Sequence, residues 1–288
     1  MARTYPFTEK KYHQWRLEGR GTGEGPTWKP WVQRGDFSSY GKQTLDSLQG
    51  ANGREIHTFS ALERSAWLVY IAKKDVLGIE EQSPLDRDET REIARGLGIE
   101  HPRDSESRVD VVMSTDFLIR VRLPDGSVKR LARSVKTAHA FSDHNDMEHA
   151  EIERLYYARR GISWAFLTES SFPRTLLSNV DMLYMHRDRH LQPEPLGYEG
   201  SFETIATEVL TQVLACRSVQ SKLFDFCTKL NEQRHWPAGT ATSVALNLIR
   251  RHKLKADYSS VLLGQQLVCD IAEATRSNQA PQDIGLVA

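Results

Sequence analysis

The chain has 288 residues with 38 acidic and 38 basic side chains, so its formal net charge is zero. A protein that binds DNA unaided usually has a basic excess, because phosphate neutralisation supplies most non-specific affinity, and any action on DNA would therefore need a partner. No apolar run approaches the roughly 20 residues that span a bilayer, and the start lacks the apolar core of a signal peptide. The three widely spaced cysteines indicate neither a disulfide framework nor a zinc site. These features predict an intracellular protein with no membrane partner.

The first 17 residues predict a helix or arm punctuated by aromatic side chains. A glycine-rich stretch, Glu18 to Gly25, follows them. No apolar strand precedes this stretch and no Lys-Ser or Lys-Thr pair of a phosphate-binding loop follows it, so its glycines do not indicate a nucleotide site. We expect a flexible connector.

A helix is predicted to begin after Ser60 and to carry Glu63 in its first turn. Two interpretations of Glu63 stay open at this point. The Ser-x-x-Glu spacing is a capping box, in which the glutamate bonds back to the backbone at the helix start. The same side chain could also turn toward an active site. A strand over Val76–Ile79 and a short helix over Glu89–Leu97 are expected next.

The stretch from Arg108 to Lys136 predicts a β-hairpin. Apolar residues alternate with polar ones along its first arm, which is the period of a strand buried on one face, and Pro124-Asp125-Gly126 is turn chemistry. With the loop centred on Gly126, Asp116 is expected directly across from Lys136 on the same face. The pair is either a cross-strand ion pair or a carboxylate and a lysine that serve metal-assisted hydrolysis.

After the hairpin, a helix from about Asn145 to Arg160 carries Glu151 and Glu153, and a short strand over Ile162–Leu167 follows. This order predicts an α/β fold in which a mixed sheet is flanked by helices.

The C-terminal part is predicted to be mainly helical. We expect a catalytic domain with its N-terminal arm over residues 1–170 and a helical domain over residues 171–288, in which the proline- and glycine-rich stretch 191–200 breaks the periodicity. A helix from Thr240 with a basic end, followed by strand character over Tyr258–Val268, suggests a winged-helix-like module for docking DNA or a partner subunit. The alternative is that the basic residues only complement the helix dipole.

Four motifs resemble one known family. They are Ser60-Ala-Leu-Glu63, Val112-Met-Ser-Thr-Asp116-Phe117, Ser134-Val-Lys136, and Glu151-Ile-Glu153-Arg154 followed by Gly161-Ile-Ser-Trp164. Together they resemble TnsA, the endonuclease subunit of heteromeric cut-and-paste transposases of the Tn-seven class, over roughly residues 15 to 170. The resemblance implies a restriction-endonuclease-like fold and cleavage of the 5′ ends of a transposon, while a partner transposase cuts and joins the 3′ ends.

The resemblance also implies roles for individual residues. The catalytic set falls on Glu63, Asp116 and Lys136, with Glu153 as a supporting acid. A Mg²⁺ ion, for which Mn²⁺ could substitute, would be held by Glu63, Asp116 and the backbone carbonyl of Val135. One position departs from the family pattern, because Ser134 stands where a glutamine or glutamate is usual.

The implied partners are transposon-end DNA, a TnsB-like transposase and a TnsC-like AAA+ regulator, in a prokaryotic cytoplasm. Two alternatives remain at the level of sequence. One is a non-catalytic adaptor that bridges these partners, and the other is a stand-alone restriction or repair nuclease.

Overall fold

The computed structural model describes residues 6–33, 35–36, 54–188, 201–218 and 220–277. The chain forms two compact units, and the change from one to the other falls between Ser171 and Phe172. The stretch 191–200 lies outside the described residues. Within the described ranges, no helix combines the length and the apolar character needed to cross a membrane.

The first unit is a mixed four-stranded sheet with helices packed on it. Its elements are α1 (Glu9–Leu17), α2 (Ala61–Ile71), β1 (Val76–Pro84), α3 (Arg87–Leu97), β2 (Ser114–Arg122), β3 (Val128–Val135), α4 (His144–Ala158) and β4 (Ser163–Leu167). The strands are ordered β1-β2-β3-β4; the first three are antiparallel, and β4 runs parallel to β3. The predicted α/β fold, a mixed sheet flanked by helices, is confirmed.

The helices begin where the sequence offers capping side chains. Asp86 caps α3 and Asp143 caps α4, each by accepting backbone N–H groups of the first turn. Leu118 and Ala132 on the sheet pack with apolar residues of α3 and α4 in one buried cluster, whereas α2 packs against β1 and β3. The sheet is therefore covered by α2, α3 and α4.

The hairpin forms as predicted, but its predicted register was wrong by two residues. Phe117 pairs with Arg133 and the ladder continues to Arg122 and Val128, so the position opposite Asp116 is that of Ser134. The reason lies in the turn, where Leu123 and Ser127 are joined by a backbone bond of 2.8 Å and the three-residue loop between them is centred on Asp125. A shift of two residues keeps every side chain on its predicted face.

The glycine-rich stretch is a closed loop and not the flexible connector that was predicted. The N–H of Gly21 donates to the carbonyl of Lys29 at 2.6 Å, and Thr22 and Lys29 form a β-bridge. Gly21 has a φ of +76°, and a Cβ atom there would lie 2.3 Å from Cγ of Pro84 on β1. Only glycine allows the loop to approach the sheet so closely.

The second unit is helical among its described residues. Its helices are α5 (Arg174–Met185), α6 (Phe202–Ala215), α7 (Leu223–Arg234), α8 (Thr240–Arg250) and α9 (Val268–Arg276). Helix α8 is buried at every position from Thr240 to Ile249 except Thr242, and it packs against α5, α6 and α7. A recognition helix needs an exposed face, so α8 is the central core helix of this unit and not the DNA-reading helix that the basic cluster suggested.

The strand predicted over Tyr258–Val268 was also wrong. The segment contains a single 3₁₀ turn, Leu263–Gln265, and its backbone bonds to the fully buried side chain of Asn179 on α5. The amide of Asn179 donates to the carbonyls of Tyr258 and Val261 at 3.0 and 2.9 Å and accepts the N–H of Leu263 at 2.9 Å. These backbone groups are therefore satisfied by a side chain and not by a neighbouring strand.

A buried carboxylate binds the backbone of the N-terminal arm. Buried Asp104 accepts backbone N–H groups of Phe7, Glu106 and Ser107 at 2.9, 3.1 and 3.0 Å. Burial raises the pKa of Asp104, but these donated hydrogen bonds outweigh burial and lower it to about 2. The bonds bring Phe7 into an aromatic cluster with Trp15 and other buried residues.

We predict that Asp104→Ala lowers the free energy of unfolding by about 2–4 kcal/mol near pH 7, because three backbone donors lose a charged acceptor. The native pKa is about 2 against an ordinary value of 3.8. The contribution is therefore fully present above pH 4 and is lost as the pH falls toward 2. Denaturant unfolding at pH 7 and pH 3 measures both effects.

The matched control is Glu106→Ala, which keeps the backbone N–H that Asp104 accepts and removes only an exposed side chain of the same loop. Its free energy of unfolding should change by no more than about 0.5 kcal/mol. Equal destabilisation in the two variants would show that the Asp104 carboxylate does not hold the arm.

Candidate active site

Glu63 enters the site from the first turn of α2. The Oγ of Ser60 accepts the N–H of Glu63 at 3.0 Å, and Oε2 of Glu63 accepts the N–H of Phe59 at 2.9 Å. This is capping-box geometry, with the return bond made to the residue before the cap. The capping bonds fix the rotamer of a carboxylate that is 8% exposed, so the capping and active-site interpretations are compatible.

Asp116 lies where β2 and β3 part. Their ladder ends at Phe117 and Arg133, and beyond it the N–H of Val135 donates to Oδ2 of Asp116 at 2.6 Å. The side-chain amide of Gln82, on β1, donates to Oδ1 at 3.2 Å. Both carboxylate oxygens are thus held by donors from the two neighbouring strands.

Gln82 is a residue of the site that the sequence did not single out. Its φ is +49°, in the left-handed region that side chains other than glycine rarely adopt. The hydroxyl of Ser114 donates to its amide oxygen at 3.1 Å, which leaves the amide nitrogen directed at Asp116. A signal was present in the sequence, because Glu80-Glu81-Gln82-Ser83 is a run of four polar residues in a strand that begins apolar.

Lys136 follows β3 directly. Its N–H donates to the carbonyl of Leu167 at 3.0 Å, which extends the parallel pairing with β4. Its Nζ forms an ion pair of 3.0 Å with Asp146, a residue in the first turn of α4, and both side chains are more than a third exposed. Asp146 was also missed, although the N-cap Asp143 places it at the start of the helix.

Glu153 reaches the site from the middle of α4. Its Oε1 accepts hydroxyl hydrogen bonds from Thr115 at 2.5 Å and Ser134 at 2.6 Å, and the side chain is 8% exposed. Ser134, which stands where the family usually has a glutamine or glutamate, therefore donates to a carboxylate from α4. Glu151, the other glutamate noted on this helix, is instead exposed and pairs with Arg154.

Burial makes all three acids harder to ionise, and the charge of Asp116 adds to this effect at the other two. Burial raises the pKa of Glu63 well above its usual range, and the negative charge of Asp116 raises it further. Burial likewise raises the pKa of Asp116 and raises that of Glu153 to about 7, with Asp116 again contributing. The charge of Lys136 opposes this effect at Glu63 and Asp116. Ionising these acids together therefore costs more than ionising free carboxyl groups.

The donor set fits a hard divalent cation. In the part of the chain that the structure describes, no three His, Cys, Asp or Glu side chains cluster as a complete set of metal ligands. Two carboxylates with a backbone carbonyl suit Mg²⁺, which usually takes one or two carboxylates and retains several waters. A cation beside Glu63 and Asp116 would also relieve the repulsion that raises the pKa of Glu63.

Comparison with known proteins identifies the family of the chain. The family model "TnsA-like endonuclease N terminal" matches residues 73–169, a range that contains Asp116, Lys136 and Glu153 but not Glu63. The chain is 34% identical over 191 residues to the transposon Tn7 transposition protein TnsA of Escherichia coli, an alignment that covers 66% of this chain and 68% of that protein. The chain belongs to the TnsA family of transposon endonucleases.

Proposed function

We propose that the chain is a Mg²⁺-dependent DNA endonuclease that cuts the 5′ ends of a transposon, with Mn²⁺ able to substitute. The observation that carries the proposal is the placement of Asp116 between two strands, within electrostatic reach of Glu63 and Lys136. Two acids and a lysine at the end of a sheet supply metal ligands and a charged donor for phosphodiester hydrolysis.

Each residue of the set has a distinct role in this proposal. Glu63 and Asp116 hold the ion together with the carbonyl of Val135. Bound there, Mg²⁺ would lower the pKa of a coordinated water and offset the charge that develops on the phosphate. The ammonium group of Lys136 orients the attacking water and donates to a phosphate oxygen.

Glu153 acts as the supporting acid. Its hydrogen bond from Ser134 supports this role, because it brings a carboxylate beside the position where the family usually carries a glutamine or glutamate on β3. The departure at Ser134 is thus offset by an acid supplied from α4.

Partners complete the reaction in this proposal. A TnsB-like transposase cuts and joins the 3′ ends, a TnsC-like AAA+ regulator controls the complex, and both act with this chain on transposon ends in a prokaryotic cytoplasm. Residues 1–170 would carry the cleavage chemistry and residues 171–288 would dock DNA or a partner. The net charge of zero favours such an assembly over a stand-alone nuclease, and the intact acid-lysine set favours an enzyme over an adaptor.

Lys136→Ala is expected to reduce 5′-end cleavage at least about 100-fold, because a positioned proton donor is lost. Cut-and-paste products should disappear from a transposition assay and cointegrates should replace them. Lys129→Ala, which removes an exposed lysine of the same strand, should leave the product ratio unchanged. Retained 5′ cleavage in Lys136→Ala would refute the assignment.

Asp116→Asn tests the metal site without an activity assay. Millimolar Mg²⁺ should raise the melting temperature of the wild-type protein, since a ligand that binds only the folded state stabilises it. The variant should lose this Mg²⁺-dependent rise. Asp125→Asn, in the exposed hairpin loop, should respond as the wild type does. An undiminished Mg²⁺ response in Asp116→Asn would exclude Asp116 as a ligand.

Asp146→Ala tests whether the ion pair positions Lys136. We expect kcat for 5′ cleavage to fall roughly twofold to fivefold with KM for DNA unchanged, since a half-exposed pair contributes about 1 kcal/mol or less. Asp146→Glu should restore part of the rate, and Glu151→Ala on the exposed side of α4 should have no effect. An equal or higher kcat in Asp146→Ala would show that the pair does not position Lys136.

A further inference from the structure

An aromatic row lies on and beside β4, next to the candidate active site. The rings of Trp164 and Phe166 are 4.8 Å apart, and that of Phe166 is 4.9 Å from Phe141, in both cases edge to face. Phe141 belongs to the 3₁₀ turn Ala138–Ser142, which begins two residues after Lys136. The row therefore runs from the sheet out to a surface loop.

The register of the sheet fixes the position of this row relative to the acids. Phe166 pairs with Ser134 on β3, and Asp116 lies across from Ser134 on β2, one step beyond the last ladder pair. Because neighbouring strands are about 4.8 Å apart, Phe166 is about 10 Å from Asp116 across the sheet. Lys136, Phe141 and Phe166 also line one shallow hollow, so the row continues the active site.

Phe141 presents its ring to solvent. It is 42% exposed and is the one aromatic residue among the strongly exposed large hydrophobic side chains of the described chain. An exposed aromatic ring beside a catalytic site favours a ligand with a flat apolar face.

The charges of the hollow distinguish between a base and a phosphate as its occupant. Among the described residues that line it, Lys136 supplies the ammonium, which is paired with Asp146 at 3.0 Å. Apart from Lys136, which the proposed function directs at the scissile phosphate, the residues around the hollow are apolar or acidic, which suits the face of a nucleobase better than a second phosphate. A DNA strand bound with its scissile phosphate at Asp116 advances about 3.4 Å per nucleotide, so the aromatic row begins, at Phe166, about three nucleotides away.

We propose that Phe141, backed by Phe166 and Trp164, is a binding wall for a nucleobase of the cut strand within about three nucleotides of the scissile phosphate. The base leaves the duplex stack and packs on the phenyl ring. Apolar side chains that separate base steps in this way are a known mode of DNA distortion. The inference rests on the proposed nuclease function and adds a contact that orients the strand.

The test uses the full-length chain with its partner transposase, Mg²⁺ and transposon-end DNA. Phe141→Ala should slow 5′ cleavage roughly tenfold, whereas Phe141→Trp should cut at close to the wild-type rate, because stacking on an aromatic ring is lost only in the first. Val128→Ala, which shortens another exposed apolar side chain, on the hairpin, should cut normally.

A mismatch near the cut separates stacking from a general structural effect. A mismatch unpairs the base in advance, so the cost of unstacking it has already been met. The rate of 5′ cleavage by Phe141→Ala should then return to within about twofold of wild type. The rate of Lys136→Ala should not be restored. The proposal would be overturned if no mismatch within three nucleotides of the cut restored cleavage by Phe141→Ala. Wild-type cleavage of paired DNA by that variant would overturn it as well.

A fluorescence readout keeps this inference separate from the nuclease assignment. 2-Aminopurine placed within three nucleotides of the cut should brighten when the wild-type protein and its partner bind, and should stay quenched with Phe141→Ala. The signal needs no cleavage. Brightening without cleavage would contradict the nuclease proposal alone, and cleavage without brightening at any of these positions would contradict the wall alone.

Discussion

The candidate site depends on one backbone N–H group that donates to a carboxylate in place of a carbonyl of the neighbouring strand. Where β2 and β3 part, the N–H of Val135 is accepted by the carboxylate of Asp116 at 2.6 Å and not by a carbonyl of the neighbouring strand. A buried N–H has to be satisfied, so this bond both ends the ladder and fixes the carboxylate. It also brings the acid of one strand beside the residue that precedes Lys136 on the next, and the spacing of the site follows from the sheet.

The same arrangement has an electrostatic cost that the fold tolerates. Burial raises the pKa values of Glu63 and Asp116, the charge of Asp116 raises that of Glu63 further, and burial raises the pKa of Glu153 to about 7. Groups that destabilise one another in the absence of a ligand are typical of functional sites, where stability is given up for chemistry. Capping bonds at Glu63 and hydroxyl donors at Glu153 keep the acids in place despite the repulsion.

Local sequence patterns predicted most of the helices and strands. The features that these patterns missed depend on contacts between residues that are far apart in the chain. Alternation and turn chemistry were sufficient for the hairpin, but the register required knowing that its loop centres on Asp125. The positive φ of Gln82 depends on its partners Ser114 and Asp116, on another strand. Helix α8 has a basic end that resembles a DNA-reading helix, yet its burial is set by the three helices around it. Family resemblance, and not periodicity, selected Glu63 and Glu153.

The charge distribution favours the proposal that a partner brings the chain to DNA. Several arginines of the first unit already have acidic partners within 3.0 Å: Arg20 with Asp36, Arg54 with Glu81, Arg87 with Glu9, Arg91 with Asp110, and Arg160 with Glu89. Such arginines are neutralised before any DNA arrives, and a chain with no net charge gains little from counterion release. In the proposed function, a partner would deliver the strand, and specific contacts near the cut from a metal, a lysine and an aromatic ring would orient it.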